Sequence, residues 1–268
     1  MEFKAVYYLV LPNQLNSYRL KIRATKIIVS IFFLLIHFSL SGQKQKPKNE
    51  SWYDEKLFHF GFSLGFNAMD FDITPSRILL DSSALNPTYL NPEISILYPG
   101  INIQIVTNLR PGKYFDIRFL PGVSFGQRIV RYYLVDAHTN VATLYNAQQK
   151  LESSFLEFPL LLKYKGDRMN NVRPYVIGGL NYRYDLAAKK EFDDQKPVYI
   201  RIKRPDFYYE FGAGMDFYLT YFKLSVEIKM SDGIGDVLVK ESAPGHPEFY
   251  NAIGKMKSQI WVLAFHFE

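Results

Sequence analysis

The stretch Phe207–Leu219, F-Y-Y-E-F-G-A-G-M-D-F-Y-L, limits more than any other part of the chain what this sequence can fold into. Side chains of an extended strand point alternately to opposite faces, so the odd positions of this stretch put apolar residues on one face. The other face carries two carboxylates, Glu210 and Asp216, and two glycines. A strand that is apolar outside and polar inside is typical of a membrane-spanning β-barrel.

The composition favours strands over helices as the spanning elements. The mean hydropathy of −0.11 and the 22% of charged residues exclude a bundle of transmembrane helices, which needs long apolar runs. Only every second residue of a spanning strand meets lipid, so a barrel keeps a nearly neutral average.

The net charge of +6 would suggest a nucleic-acid partner, but most of it lies in the first 42 residues. Residues 1–42 hold five basic residues and one acidic residue, and the remainder holds 27 basic against 25 acidic residues, a net charge of +2. Nucleic-acid binding needs a surplus of Lys and Arg that neutralises phosphates. We therefore expect no nucleic-acid partner.

Cysteine is absent, which excludes disulfides, thiolate metal sites, a cysteine nucleophile and a lipoprotein anchor. The five histidines lack the spacing of metal ligands; they are His37, His59, His138, His246 and His266. No G-x-S-x-G nucleophile elbow occurs, and no glycine-rich stretch has the strand-to-helix context of a phosphate loop. We expect no metal, no cofactor and no small-molecule substrate.

Residues 21–42 are typical of a cleavable secretory signal. A segment with three basic residues precedes the apolar run Ile27–Leu40, and Ser39 and Ser41 occupy the small-residue positions of a cleavage site. A transmembrane anchor is the alternative, but this run is shorter than the ~20 residues that a spanning helix needs. Residues 1–20 are consistent with an over-long reading frame. We divide the chain into residues 1–42 (extension and signal), 43–56 (periplasmic lead-in) and 57–268 (barrel).

Eight segments of the barrel region alternate in the same way and predict eight strands. They are Leu57–Asn67, Ile101–Leu109, Tyr114–Val135, Phe155–Tyr164, Pro174–Leu186, Phe207–Leu219, Phe222–Met230 and Gln259–Phe267. The connections alternate between long and short, as outer loops and periplasmic turns do in outer-membrane barrels. We predict an all-β, eight-stranded antiparallel transmembrane β-barrel in the bacterial outer membrane, with both termini periplasmic. Outer-membrane lipid is then its first partner.

Charged residues on the predicted inner face are the candidate site residues. They are Asp116, Arg118, Glu157, Lys163, Arg183, Asp185, Glu210, Asp216, Lys223, Glu227 and Lys229. Glu210 and Asp216 could form an acid–base pair, but six residues along one strand separate them by about 20 Å, too far for glycoside hydrolysis. A small barrel is filled by side chains, and buried charges there pair with each other. We expect structural charges and no catalytic residues.

An ordered series of segments resembles the PorT/SprT-type outer-membrane proteins of the Bacteroidetes. The segments are His59–Asn67, Pro99–Asn102, Tyr114–Arg128, Phe158–Lys165, Arg173–Leu180, Asp216–Ser225 and the final F-H-F-E. The resemblance covers nearly all of Leu57–Glu268. It implies a non-enzymatic role in type IX protein secretion, with other secretion components as partners and gliding motility in some relatives.

Two other functions remain open at the level of the sequence. The long loops suit a structural or adhesive barrel that meets the outside. A lipid-modifying barrel enzyme would need a cluster of Ser, His and acidic residues at one rim, and the sequence offers no such cluster.

Overall fold

The computed structural model describes residues 49, 53, 55–80, 87–94, 98–188, 200–241 and 246–268, except for the side chains of residues 94, 146 and 147. The predicted signal at residues 1–42 and most of the predicted lead-in lie outside these residues. The described elements are β1 (Phe58–Pro75), β2 (Thr88–Ile94), β3 (Pro99–Leu109), β4 (Phe115–Phe119), β5 (Gly122–Asp136), β6 (Ala142–Lys165), β7 (Val172–Asp185), β8 (Pro205–Tyr218), β9 (Lys223–Gly233), α1 (Pro247–Asn251) and β10 (Ile253–Phe267).

All strands join one antiparallel sheet that closes on itself. The order β1-β10-β9-β8-β7-β6 continues through β4, β3, β5 and β2. Closure follows because β1 pairs on one side with β10, Phe62 opposite Phe267, and on the other with β3, Phe62 opposite Ile105. The predicted antiparallel barrel is confirmed. In the part of the chain that the structure describes, no helix is long and apolar enough to cross a membrane.

Within the described residues the sheet has ten strands where the sequence predicts eight, and two prolines explain part of the difference. Phe119 pairs with Leu160 and Gly122 pairs with Glu157, so β4 and β5 keep one register along β6. Between them, Leu120 lies opposite Pro159 and Pro121 lies opposite Phe158. Proline has no N–H to donate, so the ladder is interrupted there although the chain runs straight on. The single predicted strand Tyr114–Val135 is therefore two strands.

The predicted loop Ala68–Glu93 is also wrong in part. β1 continues through its first residues to Pro75, and β2 pairs with β5 from Thr88 opposite Asp136 to Ile94 opposite Val130. Likewise β6 begins at Ala142, before the predicted start at Phe155, and the predicted loop 231–257 contains α1 and the start of β10. These additions all lie at one end of the barrel, which we call the long-loop end.

The opposite end carries three tight connections at residues 110–114, 166–171 and 219–222, and we call it the short-turn end. Between the two ends the outward side chains are apolar and exposed. They form the apolar belt: Phe58, Phe60, Phe62, Leu64, Phe66, Ile101, Ile103, Ile105, Phe115, Ile117, Phe119, Phe125, Phe158, Leu160, Leu162, Val176, Leu180, Phe207, Phe211, Met215, Ile228, Trp261 and Leu263. A band of this kind, about 25 Å tall, is the lipid-facing surface of a membrane barrel.

The belt ends sharply toward the long-loop end. Trp261 on β10 pairs with Ala68 and with Met230, and these three form the last outward apolar row on β1, β10 and β9. The next outward row along the same strands is polar: Gln259 pairs with Asp70 and with Asp232. The hydrocarbon boundary therefore follows the strand register.

The inside of the barrel is closed at the long-loop end by an apolar cluster that we call the apolar cap. Its buried residues are Phe71, Leu90, Val130, Tyr132, Leu151, Ala188, Ile200, Ile202, Val237, Leu238, Phe249, Ala252, Ile253 and Met256. They come from strands, from the chain that follows β7 and β9, and from α1. The bridge between Ile202 and Leu238 joins two of these segments across the barrel end.

Candidate functional site: the charged barrel interior

The structure buries the side chains of all eleven predicted inner-face charges. Asp116, Arg118, Glu157, Lys163, Arg183, Asp185, Glu210, Asp216, Lys223, Glu227 and Lys229 are each at most 3% exposed. Strand alternation explains the placement, because each residue shares its face with the glycines and small polar residues of the same strand. The barrel interior is therefore lined with charged side chains. Their ion pairs determine whether any of them is available for chemistry.

Arg118 on β4 bridges two carboxylates. Its guanidinium lies 3.2 Å from Glu227 and 3.0 Å from Glu268, and all three side chains are fully buried. Tyr175 donates a hydrogen bond of 2.9 Å to Glu227, and Lys223 lies 2.9 Å from Glu268. Charges that are paired in this way can stay ionised away from water.

Lys163 and Asp216 form a second pair in the same half of the barrel. Lys163 Nζ is 2.8 Å from both carboxylate oxygens of Asp216, which also accepts a hydrogen bond of 2.6 Å from Ser225. The ammonium group lies 3.6 Å from the centre of the Tyr175 ring, a cation–π distance. Asp216 is therefore bound by Lys163 and Ser225, which are not the partners of Glu210.

Glu210 is the centre of the third cluster, closer to the long-loop end. It contacts Arg183 and Lys229, each at 3.0 Å, and accepts hydrogen bonds from Asn181 at 2.7 Å and Ser231 at 2.7 Å. Arg183 also lies 3.0 Å from Glu157 and so joins two carboxylates. The structure therefore places Glu210 and Asp216 in separate ion-pair clusters.

Two further predicted charges find partners at the strand ends. Asp116 contacts Lys165 and accepts a hydrogen bond of 3.1 Å from Asn108 at the short-turn end. Asp185 accepts hydrogen bonds from the backbone N–H groups of Ser154 at 3.1 Å and Ala187 at 3.0 Å. Backbone donors can hold a buried carboxylate much as a cation does.

Five buried charges were not among the predicted site residues: Arg128, Lys165, Arg173, Asp206 and Glu268. The first four continue inward rows that the sequence already shows on their strands, so extending those rows could have found them. With these five included, the described part of the chain buries eight cationic residues and eight side-chain carboxylates. A balanced interior of this kind has no surplus charge that would attract or select an ion.

Arg128 is a buried cation that donates hydrogen bonds to hydroxyl groups. It donates to Ser258 at 2.9 Å and to Ser153 at 2.5 Å, and its guanidinium lies 3.8 Å from the centre of the Phe71 ring. Beside it is a cavity of about 10 Å³ that Asp185 and Asp206 also line. That volume holds roughly one water molecule, so it has no room for a substrate.

Two described residues that precede β1, Asn49 and Tyr53, close the short-turn mouth of the barrel. The Tyr53 ring stacks on His59 with centroids 3.8 Å apart, and its hydroxyl donates to Glu268 at 2.6 Å and accepts from Lys223 at 2.7 Å. Asn49 donates from its side chain to the carbonyl oxygen of Tyr218 at 3.1 Å. Burial raises the pKa of the Tyr53 hydroxyl, and Glu268 adds to that effect. The hydroxyl therefore remains a donor at ordinary pH.

In the described part of the barrel, the interior groups that could exchange protons are fully buried. His266 lies 3.4 Å from Glu227, and both are fully buried between the closed mouth and the apolar cap. Among the described residues, no group of three or more His, Cys, Asp or Glu could hold a metal ion. The ion pairs of the described interior join residues on different strands.

Comparison with known proteins identifies the architecture. Residues 42–239 match the family described as the outer membrane protein beta-barrel domain. The chain belongs to this family. A search of curated proteins found no match. An outer-membrane barrel of this family places its belt in the lipid of the bacterial outer membrane.

Solved structures of other outer-membrane barrels are similar to this family member in fold. OprG from Pseudomonas aeruginosa is 15% identical, with 78% of this chain and 93% of that chain covered and a TM-score of 0.43. AlkL, solved in lipid bilayers, is 14% identical over 85% and 94% of the two chains, with a TM-score of 0.35. Ail, the attachment invasion locus protein of Yersinia pestis, is 11% identical over 78% and 96%, with a TM-score of 0.33. At these identities the likeness concerns the fold alone.

Proposed function

We propose that this outer-membrane barrel is a non-enzymatic component of type IX protein secretion and acts through contacts with other secretion proteins. The observation that carries the non-enzymatic part is the filled interior, with eight buried cationic residues, eight buried carboxylates and closures at both ends. The secretion part is supported by the ordered segments that resemble the PorT/SprT type, from His59–Asn67 to the final F-H-F-E.

The filled interior counts against transport through the barrel itself. Arg118, Glu227 and Glu268 form buried ion pairs. Removing one partner of such a pair strongly destabilises the folded protein. A path through the barrel would have to break several such pairs in the described interior at once. Partners are therefore expected to contact the rims and loops.

We further propose that the short-turn end and both termini are periplasmic, and that gliding motility depends on the same secretion role. Tight periplasmic turns and longer outer loops are the rule in bacterial barrels. The secretory signal at residues 21–42 is consistent with that orientation. A protease added to intact cells should then cut at the long-loop end and spare a tag placed at residues 110–113.

The secretion role is tested by deleting the gene and measuring the export of type IX cargo. We expect cargo to accumulate in the periplasm and to be exported again when the wild-type chain is supplied. The abundance of unrelated outer-membrane barrels serves as the control for general envelope damage. Normal export in the deletion strain would refute the proposal, and co-purification from crosslinked membranes would name the partners.

A structural or adhesive barrel is the second candidate. The observation in its favour is the β5–β6 hairpin, which extends past the end of the belt and exposes Val141, Leu144 and Tyr145 at its tip. Exposed apolar groups outside the belt suit contact with another surface. Substituting Ser for all three residues should reduce adhesion and leave export unchanged if this function is the right one.

A further inference from the structure

The short-turn end carries a pocket on its rim that is independent of the charged interior. The rim pocket has a volume of about 400 Å³ and is lined by Glu55, Lys56, Leu57, Arg110, Gly112 and Lys113. Two segments meet there, the end of the lead-in and the β3–β4 turn. The backbone N–H of Arg110 donates to the carbonyl oxygen of Leu57 at 2.8 Å and fixes the two walls against each other.

The rim pocket is predominantly cationic. Its walls supply three basic side chains against one carboxylate, that of Glu55. Lys113 is held at the opening, because its ammonium donates to the Tyr114 hydroxyl at 2.9 Å and lies 3.2 Å from Asp167. These contacts raise the pKa of Lys113. A Cβ added at Gly112 would meet no atom within 4 Å, so the turn leaves that wall of the pocket open.

The depth of the rim pocket relative to the membrane determines which ligands can reach it. Leu57 on its wall and the neighbouring Phe58, Tyr114 and Phe115 are exposed at the short-turn edge of the apolar belt. The acyl chains of lipid lie against such residues, and headgroups lie at the level of the strand ends and their aromatic side chains. The rim pocket therefore opens at headgroup depth, where the phosphate group of a phospholipid is the available anion.

We propose that the rim pocket binds the phosphate group of a phospholipid in the leaflet at the short-turn end, with Arg110 and Lys113 as the main contacts. Lys56 adds positive charge, and the adjoining apolar side chains pack against the first part of the acyl chains. Basic residues that face an anionic lipid surface contribute about 1 kcal/mol each. The site does not depend on the proposed secretion role.

The test is lipid binding by the full chain folded in detergent micelles, followed by native mass spectrometry. The probes are palmitoyl-oleoyl phosphatidylglycerol and the matched diacylglycerol, which has the same chains and no phosphate. We expect wild-type protein to retain the phospholipid. The double variant Arg110→Gln/Lys113→Gln should bind it roughly thirtyfold more weakly, since two basic contacts are lost at about tenfold per 1.4 kcal/mol.

A matched control removes two positive charges at the other end of the barrel. Lys203→Gln/Lys240→Gln should bind the phospholipid as the wild type does, because both lysines are exposed at the long-loop end. The heat-modifiable gel band verifies that each variant is folded. Equal retention by the rim variant and the wild type would overturn the proposal, as would equal binding of the diacylglycerol. Displacement of the lipid by millimolar inorganic phosphate would identify a free-phosphate site instead and would also overturn it.

Discussion

Arg118 and Glu268 form an ion pair of 3.0 Å inside the barrel although they lie 150 positions apart in the chain. Arg118 stands on β4, and Glu268 directly follows β10, whose pairing with β1 closes the sheet. Glu268 also contacts Lys223 on β9 and Tyr53 in the lead-in. A single carboxylate thus links two strands and the chain segment that seals the mouth.

Replacing Arg118 should be strongly destabilising. Arg118→Met removes a cation from both Glu227 and Glu268 and leaves buried carboxylates with fewer partners. Breaking a buried ion pair costs about 3–5 kcal/mol. Urea unfolding of the barrel in lipid vesicles measures the free energy of unfolding directly.

The control for this substitution is an exposed ion pair. Lys150 lies 2.7 Å from Glu152, with both side chains more than half exposed, and such pairs contribute roughly 0–1 kcal/mol. Lys150→Met should therefore unfold close to the wild-type urea concentration. If both substitutions lower the free energy of unfolding equally, the buried ion pairs of Arg118 do not contribute more stability than an exposed pair.

Alternation predicted the belt and the charged interior because two different surroundings act on the two faces of a spanning strand. On β8, Phe207 and Phe211 face lipid while Glu210 and Asp216 face the interior. Each face therefore has its own composition, and apolar and polar residues alternate along the sequence with a period of two. The spanning strands could be predicted for that reason.

The same contrast disappears beyond the belt, and there the sequence was less informative. β2 and the first half of β6 pair with β5 from Arg128 onward, past the belt residue Phe125. The outward residues Lys150 and Glu152 of β6 are charged there, so this face does not have the apolar composition of the belt. The apolar cap joins residues as distant as Phe71 and Phe249 through tertiary packing alone. Apolar and polar residues do not alternate regularly around these positions. The sequence therefore predicts loops in this region.

The mouth closure could not be predicted either. Tyr53 and Glu268 are 215 positions apart, and each stands outside the alternating segments. The polar lead-in gave no sign that one of its aromatic residues would be buried. Only the closed barrel, which brings the region before β1 beside the residue after β10, creates the contact.

An arginine introduced into the apolar belt should impair folding, whereas an arginine introduced beyond the belt should not. Ile105 and Leu144 are almost equally exposed, at 62% and 64%, but only Ile105 lies in the apolar belt. Arg at mid-membrane on a barrel costs about 2–4 kcal/mol and close to nothing outside the hydrocarbon. Ile105→Arg should therefore fold poorly into vesicles while Leu144→Arg folds normally, as judged by heat-modifiable migration. Equal folding of the two variants would place the membrane elsewhere on the barrel.

Removing the Tyr53 hydroxyl should weaken the mouth closure without exposing the interior. Tyr53→Phe keeps the stacking on His59 and loses the hydrogen bonds with Glu268 and Lys223. Hydrogen bonds to charged groups contribute about 1.5–3 kcal/mol, so urea unfolding in vesicles should shift by that amount. Tyr221→Phe is the control, since Tyr221 is 91% exposed at a turn.

The stability difference between wild type and Tyr53→Phe should be constant from acidic to mildly alkaline pH. Burial raises the pKa of Tyr53 above its ordinary value of about 10. A group whose pKa is raised on folding contributes stability that is fully present below the unfolded pKa and is lost as the pH rises through the folded pKa. The difference should therefore begin to fall only above pH ~10. A fall near neutral pH would show that another group titrates at the mouth.

Asp136 should make the tip of the β5–β6 hairpin sensitive to acid. Its carboxylate accepts hydrogen bonds of 2.8 Å from the backbone N–H groups of His138 and Thr139. These N–H groups lower the pKa of Asp136, because they stabilise the ionised form. A depressed pKa contributes stability that is present above the unfolded pKa of about 4 and is lost as the pH falls through the folded value. The tip should thus be ordered at neutral pH and loosen only in acid below the ordinary carboxyl range.

An NMR titration that follows the Asp136 carboxyl carbon together with the His138 and Thr139 amides checks this prediction. The three signals should titrate together at a pH below the ordinary aspartate pKa of about 4. In Asp136→Asn the amide signals should no longer respond to acid, because the side-chain oxygen still accepts the hydrogen bonds but cannot titrate. The turn would then keep its shape at low pH. If the amides of the Asn variant still shift, another group controls the tip, and the carboxylate of Asp136 is not its acid-sensitive element.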